Sequence, residues 1–185
     1  MAAFSDRTIR RYLQSGKLSV EPLDEQMIQP ASIDVKLGST FRVFHNHRVE
    51  SIDLRNPDPN LTEQVEVGPG EPFVIHPGEF CLGDTLEYVR IPDNVLCRID
   101  GKSSLGRLGL IVHATAGFID PGFEGTITLE LGNLTRVPIK LYAGLSIAQL
   151  TFEEMIDPAE RPYGHPDLGS HYQGQRGATA SRYRQ

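Results

Sequence analysis

The hydrophobic positions of this chain change period once. Near the N-terminus Ile9, Tyr12 and Leu13 fall at helical spacing behind Ser5, a residue type that caps helices well, and Gly16 follows as a terminator. The spacing predicts one amphipathic helix over 6–15. After it the period is two: Ile33, Val35 and Leu37 alternate with Asp34 and Lys36, and Phe41 and Val43 flank Arg42. Further strands are predicted at 73–75, 80–82, 86–91, 95–99, 110–113, 126–131, 137–142 and 145–152. Turn signals separate them, among them Asn56-Pro57-Asp58-Pro59, His76-Pro77-Gly78, Pro92-Asp93-Asn94 and Pro121-Gly122. Many short strands punctuated in this way predict an all-β chain, a barrel or sandwich. Beyond Pro158 the aliphatic residues thin out, and 163–185 is rich in Gly, Gln, Ser and Arg. That stretch cannot supply much core. Composition reads it as a disordered tail; the functional alternative is a flexible arm that orders over a ligand. Arg176, Arg182 and Arg184 outweigh Asp167 there, which favours an anionic ligand.

Length and composition narrow the class. A chain of 185 residues fits one domain, and 39% hydrophobic with 23% charged residues fits a soluble globular protein. The net charge of −6 gives no global attraction for nucleic acid or an anionic membrane, so neither is expected as a partner. A phosphorylated ligand then needs a local cluster of cations. No basic stretch followed by an apolar one opens the chain, and no apolar run approaches the ~18 residues of a membrane span. The expected location is the cytoplasm. Cys81 and Cys97, sixteen positions apart, are expected to be reduced and buried.

Three stretches could carry chemistry. Gly101-Lys102-Ser103-Ser104-Leu105-Gly106-Arg107 packs two cations, two hydroxyls and two glycines into seven positions, the groups that cradle phosphate oxygens. It is not a P-loop, because position 96 is Leu where that motif needs Gly. A polar turn without a ligand is its plain alternative. Asp120-Pro121-Gly122 is a turn signature, and an Asp in that position serves the turn more often than a reaction. Glu130 lies on the polar face of 126–131 with Thr126 and Thr128, opposite Ile127, Leu129 and Leu131. Such a Glu usually faces solvent; on the wall of a cleft it becomes a candidate general base. Zinc deaminases need His-x-Glu followed by Pro-Cys-x-x-Cys, and neither cysteine has a partner at ligand spacing. No zinc is expected. A phosphate-bound Mg²⁺ remains open, since it needs few protein ligands. His113, in an apolar segment, reads as a packed core histidine.

The run 101–110 with Arg107-Leu108-Gly109-Leu110, then Thr115-Ala116-Gly117-Phe118-Ile119-Asp120-Pro121-Gly122-Phe123, then Thr128-Leu129-Glu130, closely resembles the dCTP deaminases of the trimeric dUTPase-like superfamily. The resemblance runs nearly end to end, through Ser5-Asp6-Arg7-Thr8-Ile9, Gln29-Pro30-Ala31-Ser32-Ile33-Asp34, Ile147-Ala148-Gln149-Leu150, Pro162-Tyr163 and Tyr172-Gln173-Gly174-Gln175-Arg176-Gly177. It implies a distorted β-barrel of the β-clip type with a short N-terminal helix, in one domain over 1–185, and a homotrimer with active sites shared between subunits. It implies deamination of dCTP without zinc, with Mg²⁺ carried on the triphosphate. Glu130 matches the glutamate that takes a proton from water, and Ser103 and Arg107 match residues that hold water, glutamate and substrate. Lys102 and Ser104 match triphosphate contacts, with Leu105, Gly106, Ala116, Thr128 and Leu129 in the same substrate-binding motifs. Asp120 and Gln149 match nucleotide contacts, and Tyr163, His171 and Gln175 fall on the C-terminal arm, about 163–185, that closes over the phosphates. His171 is a departure, since many members carry a phosphate-binding Lys there. A neutral imidazole offers one donor in place of a full charge, so triphosphate binding is expected to weaken with rising pH.

The family divides by product. Members that release dUTP typically have His-Arg after Thr-Ala, whereas this chain has Gly117-Phe118, as in members that also cleave between the α and β phosphates and form dUMP and diphosphate. Gln149 in Ala148-Gln149-Leu150 points the same way, and Asp120 is then the candidate to orient the second water. The resemblance also implies dTTP as a feedback inhibitor. The alternatives are a deaminase that stops at dUTP, a dUTPase without deaminase activity, and a non-catalytic nucleotide-binding regulator on the same fold.

Overall fold

The computed structural model describes residues 2–46, 49–115 and 117–183. After β1 (Ala2–Ala3) comes α1 (Asp6–Gln14), close to the predicted helix. Ser5 holds the N-cap position without a side-chain cap bond; Asp6 instead pairs with Arg10 at 2.7 Å, one turn on. Ile9 and Tyr12 form the buried face, and Gly16 takes a left-handed φ of 70° just past the end, the C′ conformation that glycine adopts without strain.

The strands that follow are β2 (Ser19–Glu21), β3 (Ile28–Gln29), β4 (Ser32–Lys36), β5 (Thr40–Phe44), β6 (Thr62–Glu66), β7 (Pro72–Ile75), β8 (Phe80–Arg90) and β9 (Val95–Gly101). A single helical turn, α2 (Ser103–Gly106), precedes β10 (Leu110–Ile111), β11 (Phe118–Ile119), β12 (Glu124–Asn133), β13 (Ile139–Tyr142) and β14 (Ser146–Glu154). They form two six-stranded antiparallel sheets. One runs β11-β9-β14-β4-β3 with β1 beside β14, the other β10-β12-β8-β5-β6 with β2 beside β8; β7 and β13 make a separate ribbon. The all-β expectation holds. Among the described residues the sheets do not close into one barrel; they meet where Leu37 bridges to Thr85.

The period-two residues fill the space between the sheets. Ile33, Val35 and Leu37 are fully buried with Leu129, Leu131, Leu150 and Phe152 in one core. Each such side chain contributes about 1.5–3 kcal/mol on leaving water. Cys81 and Cys97 are buried free thiols in the same core, and burial pushes the Cys81 thiol up to about 12. The strands predicted at 80–82 and 86–91 are one strand, because the polar residues between them are satisfied inside. Thr85 Oγ1 donates to the Glu87 carbonyl at 2.9 Å and accepts from the Ile127 amide at 2.9 Å. Asp84 tucks beneath Gly38, where a Cβ would stand 2.4 Å from its Oδ1, and accepts from the Thr40 amide at 3.3 Å. Burial pushes the Asp84 carboxyl up to about 6. The strand predicted at 110–113 ends at Ile111, and 137–142 begins at Ile139. Strand β6 has no alternating signal, since Thr-Glu-Gln-Val-Glu forms a polar edge.

The C-terminal segment is docked, despite its thin aliphatic content. The Gly174 amide donates to the Glu124 carbonyl at 2.7 Å, and the Thr126 amide to the Gln175 carbonyl at 3.0 Å. These bonds extend the β12 ladder by one parallel bridge, Gly125 to Gln175. Ala178 is buried, and the Thr179 amide donates to Thr128 Oγ1 at 3.2 Å.

Candidate active site

A cavity of about 700 Å³ opens between β12, the 118–123 segment and the docked C-terminal segment. Its walls are largely apolar, with Leu82, Ile99, Phe118, Ile119, Phe123 and Ile127 on the sheet side. Polar groups converge on it from few directions: Asp120, Thr128 and Glu130 from the sheets, Tyr163, Ser170, His171 and Gln175 from the C-terminal segment. An apolar cavity with a few placed polar groups is the usual form of a small-molecule site.

Strand β12 aims two of these groups. Its register with β8 shifts between Thr126 and Thr128, and the irregularity turns both Ile127 and Thr128 toward the cavity. Two residues on, Glu130 is half-buried. Its Oε2 accepts from the amides of Ala114 (3.2 Å) and Thr115 (2.9 Å), and the Thr115 hydroxyl lies 3.0 Å from both carboxylate oxygens. The candidate base is therefore clamped from the segment that follows β10. His113 of that segment also lines the cavity, so it is not the core strand residue the sequence suggests.

Asp120 also lines the cavity and opens a turn. The Phe123 amide donates to its carbonyl at 3.1 Å, and Gly122 at φ 89° gives the type II geometry that Pro121-Gly122 predicts. The same turn anchors the C-terminal segment: the Tyr163 amide donates to the Pro121 carbonyl at 2.8 Å, and the rings of Phe123 and Tyr163 meet edge-on at 5.6 Å. The Tyr163 hydroxyl accepts from the Tyr172 amide at 3.0 Å. Burial pushes the Tyr163 phenol up, with a smaller contribution in the same direction from the charge of Asp120. Arg182 completes the arrangement, its Nη1 donating to the His171 carbonyl at 2.7 Å and its amide to Tyr172 Oη at 3.0 Å.

The predicted site residues thus divide into two groups. Asp120, Thr128, Glu130, Tyr163, His171 and Gln175 share one cavity with Phe118. Lys102, Ser103, Ser104, Leu105, Gly106 and Arg107 do not line it; they form α2 and its flanks, with Ser103, Ser104 and Arg107 exposed. Gln149 lies on β14, registered between Asp34 and Asp100. Leu129 points its side chain into the core and can offer only its backbone. Gly117 does not line the cavity either; its carbonyl accepts from the Ile99 amide at 2.9 Å. Ala116 lies outside the described residues. The sequence reading missed Thr115, His113, Tyr172 and Thr179 as site residues, although Thr115 and Tyr172 stand inside motifs it singled out. Among the described residues no three His, Cys, Asp or Glu side chains come together as a metal site, and no helix is long and apolar enough to cross a membrane.

Comparison with known proteins matches the family model described as dCTP deaminase-like over residues 3–155. A protein of Kocuria rhizophila named "dCTP deaminase, dUMP-forming" is 57% identical over 178 residues, covering 96% of this chain and 93% of its own. One of the same name from Beutenbergia cavernae is 56% identical over 178 residues, again covering 96% and 93%. Among solved structures, the 2'-deoxycytidine 5'-triphosphate deaminase of Agrobacterium tumefaciens superposes with a TM-score of 0.63 at 25% identity, over 82% of this chain and 48% of that one. The chain thus spans about half the length of that structure, and nearly the whole of the two curated relatives.

Proposed function

The chain belongs to the dCTP deaminase-like family, and from that premise we propose how its cavity works. It deaminates dCTP hydrolytically and cleaves the triphosphate, so that dCTP and two waters give dUMP, diphosphate and ammonia. The observation that carries the reading is Glu130, a clamped carboxylate on the wall of a cavity sized for a nucleoside, on the strand where the family resemblance requires it. Glu130 takes a proton from water, and the hydroxide adds to C4 of the cytosine ring. The tetrahedral centre then expels the amino group, protonated, as ammonia. The apolar walls exclude bulk water and hold the ring in one orientation.

Ser103 and Arg107 are needed beside Glu130 to hold the water and the developing charge, yet α2 does not line the cavity of its own chain. A homotrimer in which the α2 turn of a second copy faces the cavity meets that need, and the exposure of Ser103 and Arg107 supports it. Asp120, which lines the same cavity, orients a second water at the α-phosphate. His171 and Tyr163 meet the phosphates from the C-terminal segment, and dTTP fits the same cavity as an inhibitor. The donor groups suit a triphosphate that brings its own Mg²⁺, since phosphate oxygens and waters fill most of that ion's sphere. Such an ion would neutralise phosphate charge when bound with the substrate; the reaction needs no zinc and belongs in the cytoplasm.

The test is an incubation with dCTP and Mg²⁺ in which nucleotides are resolved by ion-exchange chromatography while ammonia and diphosphate are assayed. Equal yields of dUMP, diphosphate and ammonia establish the reaction. Accumulation of dUTP with ammonia limits the chain to deamination, and unchanged dCTP overturns the reading.

A further inference from the structure

Lys102 is not a free cation at the start of α2. Its ammonium pairs with Oδ2 of Asp34 on β4. The pair is sheltered, with the Asp34 side chain 16% exposed and that of Lys102 27%. The other carboxylate oxygen, Oδ1, is buried and has no hydrogen-bond partner among the described residues. A carboxylate held that way is costly unless a cation sits on it. Gln149 is registered beside Asp34 on one side and Asp100 on the other, so the three side chains share one face of the sheet. Asp34 therefore stands next to two residues that the family resemblance assigns to the nucleotide, Lys102 and Gln149. A second anion there repels a triphosphate, so its presence calls for a role other than ligand contact.

The backbone supplies that role. Lys102 is the N-cap of α2 and has no side-chain cap bond. Its carbonyl accepts from the amides of Leu105 (2.9 Å) and Gly106 (3.1 Å), and its own amide donates to the Ile147 carbonyl at 3.3 Å. Fixing Lys102 thus fixes the turn that presents Ser103, Ser104 and Arg107. We propose that Asp34 is a positioning residue, which through its ion pair holds the Lys102 ammonium and the first turn of α2 in the orientation the triphosphate meets. The inference rests on the reading of Lys102 as a triphosphate contact.

Steady-state kinetics with dCTP and Mg²⁺ on the full chain test it, using Asp34→Asn, Lys102→Met and the double variant, each with a thermal unfolding curve. Asp34→Asn keeps the shape and removes the charge; its KM should rise about ten-fold, the worth of one charge-assisted hydrogen bond, with kcat little changed. Lys102→Met should raise KM at least as far. In the Lys102→Met background the Asp34→Asn penalty should largely vanish, because residues acting as a pair are not additive. Asp34→Glu, which restores the charge at longer reach, should recover part of the KM. Additive KM penalties in the double variant, or an unchanged or lowered KM in Asp34→Asn, overturn the proposal while dCTP turnover stands. If Asp34→Asn does not fold, Asp34→Glu and Lys102→Arg carry the same cycle. A wild-type KM in Lys102→Met, or no turnover of dCTP by the unaltered chain, overturns the reading of the site and the proposal with it.

Discussion

Thr115 holds Glu130 by two groups at once, its amide 2.9 Å from Oε2 and its hydroxyl 3.0 Å from both carboxylate oxygens. The residues come from different elements, Glu130 from the middle of β12 and Thr115 from the segment after β10. The clamp fixes the carboxylate plane at the cavity wall. A general base needs a fixed position within reach of the water it deprotonates.

Replacing Glu130 by Gln keeps the shape and removes the basic oxygen. Deamination should fall by about 10²–10⁴-fold or more, the usual contribution of a general base. Binding of dCTP, followed by calorimetry, should survive. Turnover near the wild-type rate in Glu130→Gln removes Glu130 as the base.

Gln175 ties the C-terminal segment to β12 by backbone and side chain together. Its carbonyl accepts from the Thr126 amide at 3.0 Å, and its Nε2 donates to the Thr126 carbonyl at 2.8 Å. Gln175→Ala leaves a buried carbonyl without that donor, a loss of about 1–3 kcal/mol that acts on the segment and not on the core. KM for dCTP should rise several-fold while the unfolding temperature barely moves. Trypsin, which cuts after arginine, should cleave at Arg176 faster than in the unaltered chain. An unchanged KM separates the segment's docking from substrate binding.

The strands with an apolar face were legible in the sequence because alternation is a local signal. Residues 33–37 and 126–131 show it plainly. Strand β6, whose Thr62–Glu66 run is a polar edge, carries no such signal, and β8 was hidden by Asp84 and Thr85, whose burial depends on partners distant in sequence. At the site, Asp120 and Glu130 could be singled out from turn chemistry and face, and the resemblance added Tyr163, His171 and Gln175. Composition misjudged the stretch around Gly174 and Gln175, since its docking rests on backbone bonds to β12 that no aliphatic pattern announces. The placement of Lys102 to Arg107 away from the cavity was not legible either, because a motif shows which groups are present and not which wall they face.

Asp84 makes stability depend on pH with a definite sign. Burial raises its carboxyl from the ordinary 3.8 to about 6. Between those values the folded state binds more protons than the unfolded one, so the Asp84 contribution to stability falls as pH rises from about 4 to 6 and is level above that. Asp84→Asn keeps the acceptor for the Thr40 amide and removes the titration. Urea midpoints measured from pH 4 to 7 should show the variant gaining on the unaltered chain as pH rises. A constant difference between the two proteins means that the carboxyl does not titrate in this window.

His171 faces the cavity on a backbone that is already fixed, its carbonyl bonded to Arg182 Nη1 at 2.7 Å. An imidazole ring offers a phosphate fewer donors than an ammonium, which brings three and a full positive charge. If His171 meets the triphosphate, His171→Lys should lower KM for dCTP several-fold and His171→Ala should raise it, with kcat little changed in either. Steady-state KM values that are the same in all three proteins take His171 out of the phosphate site.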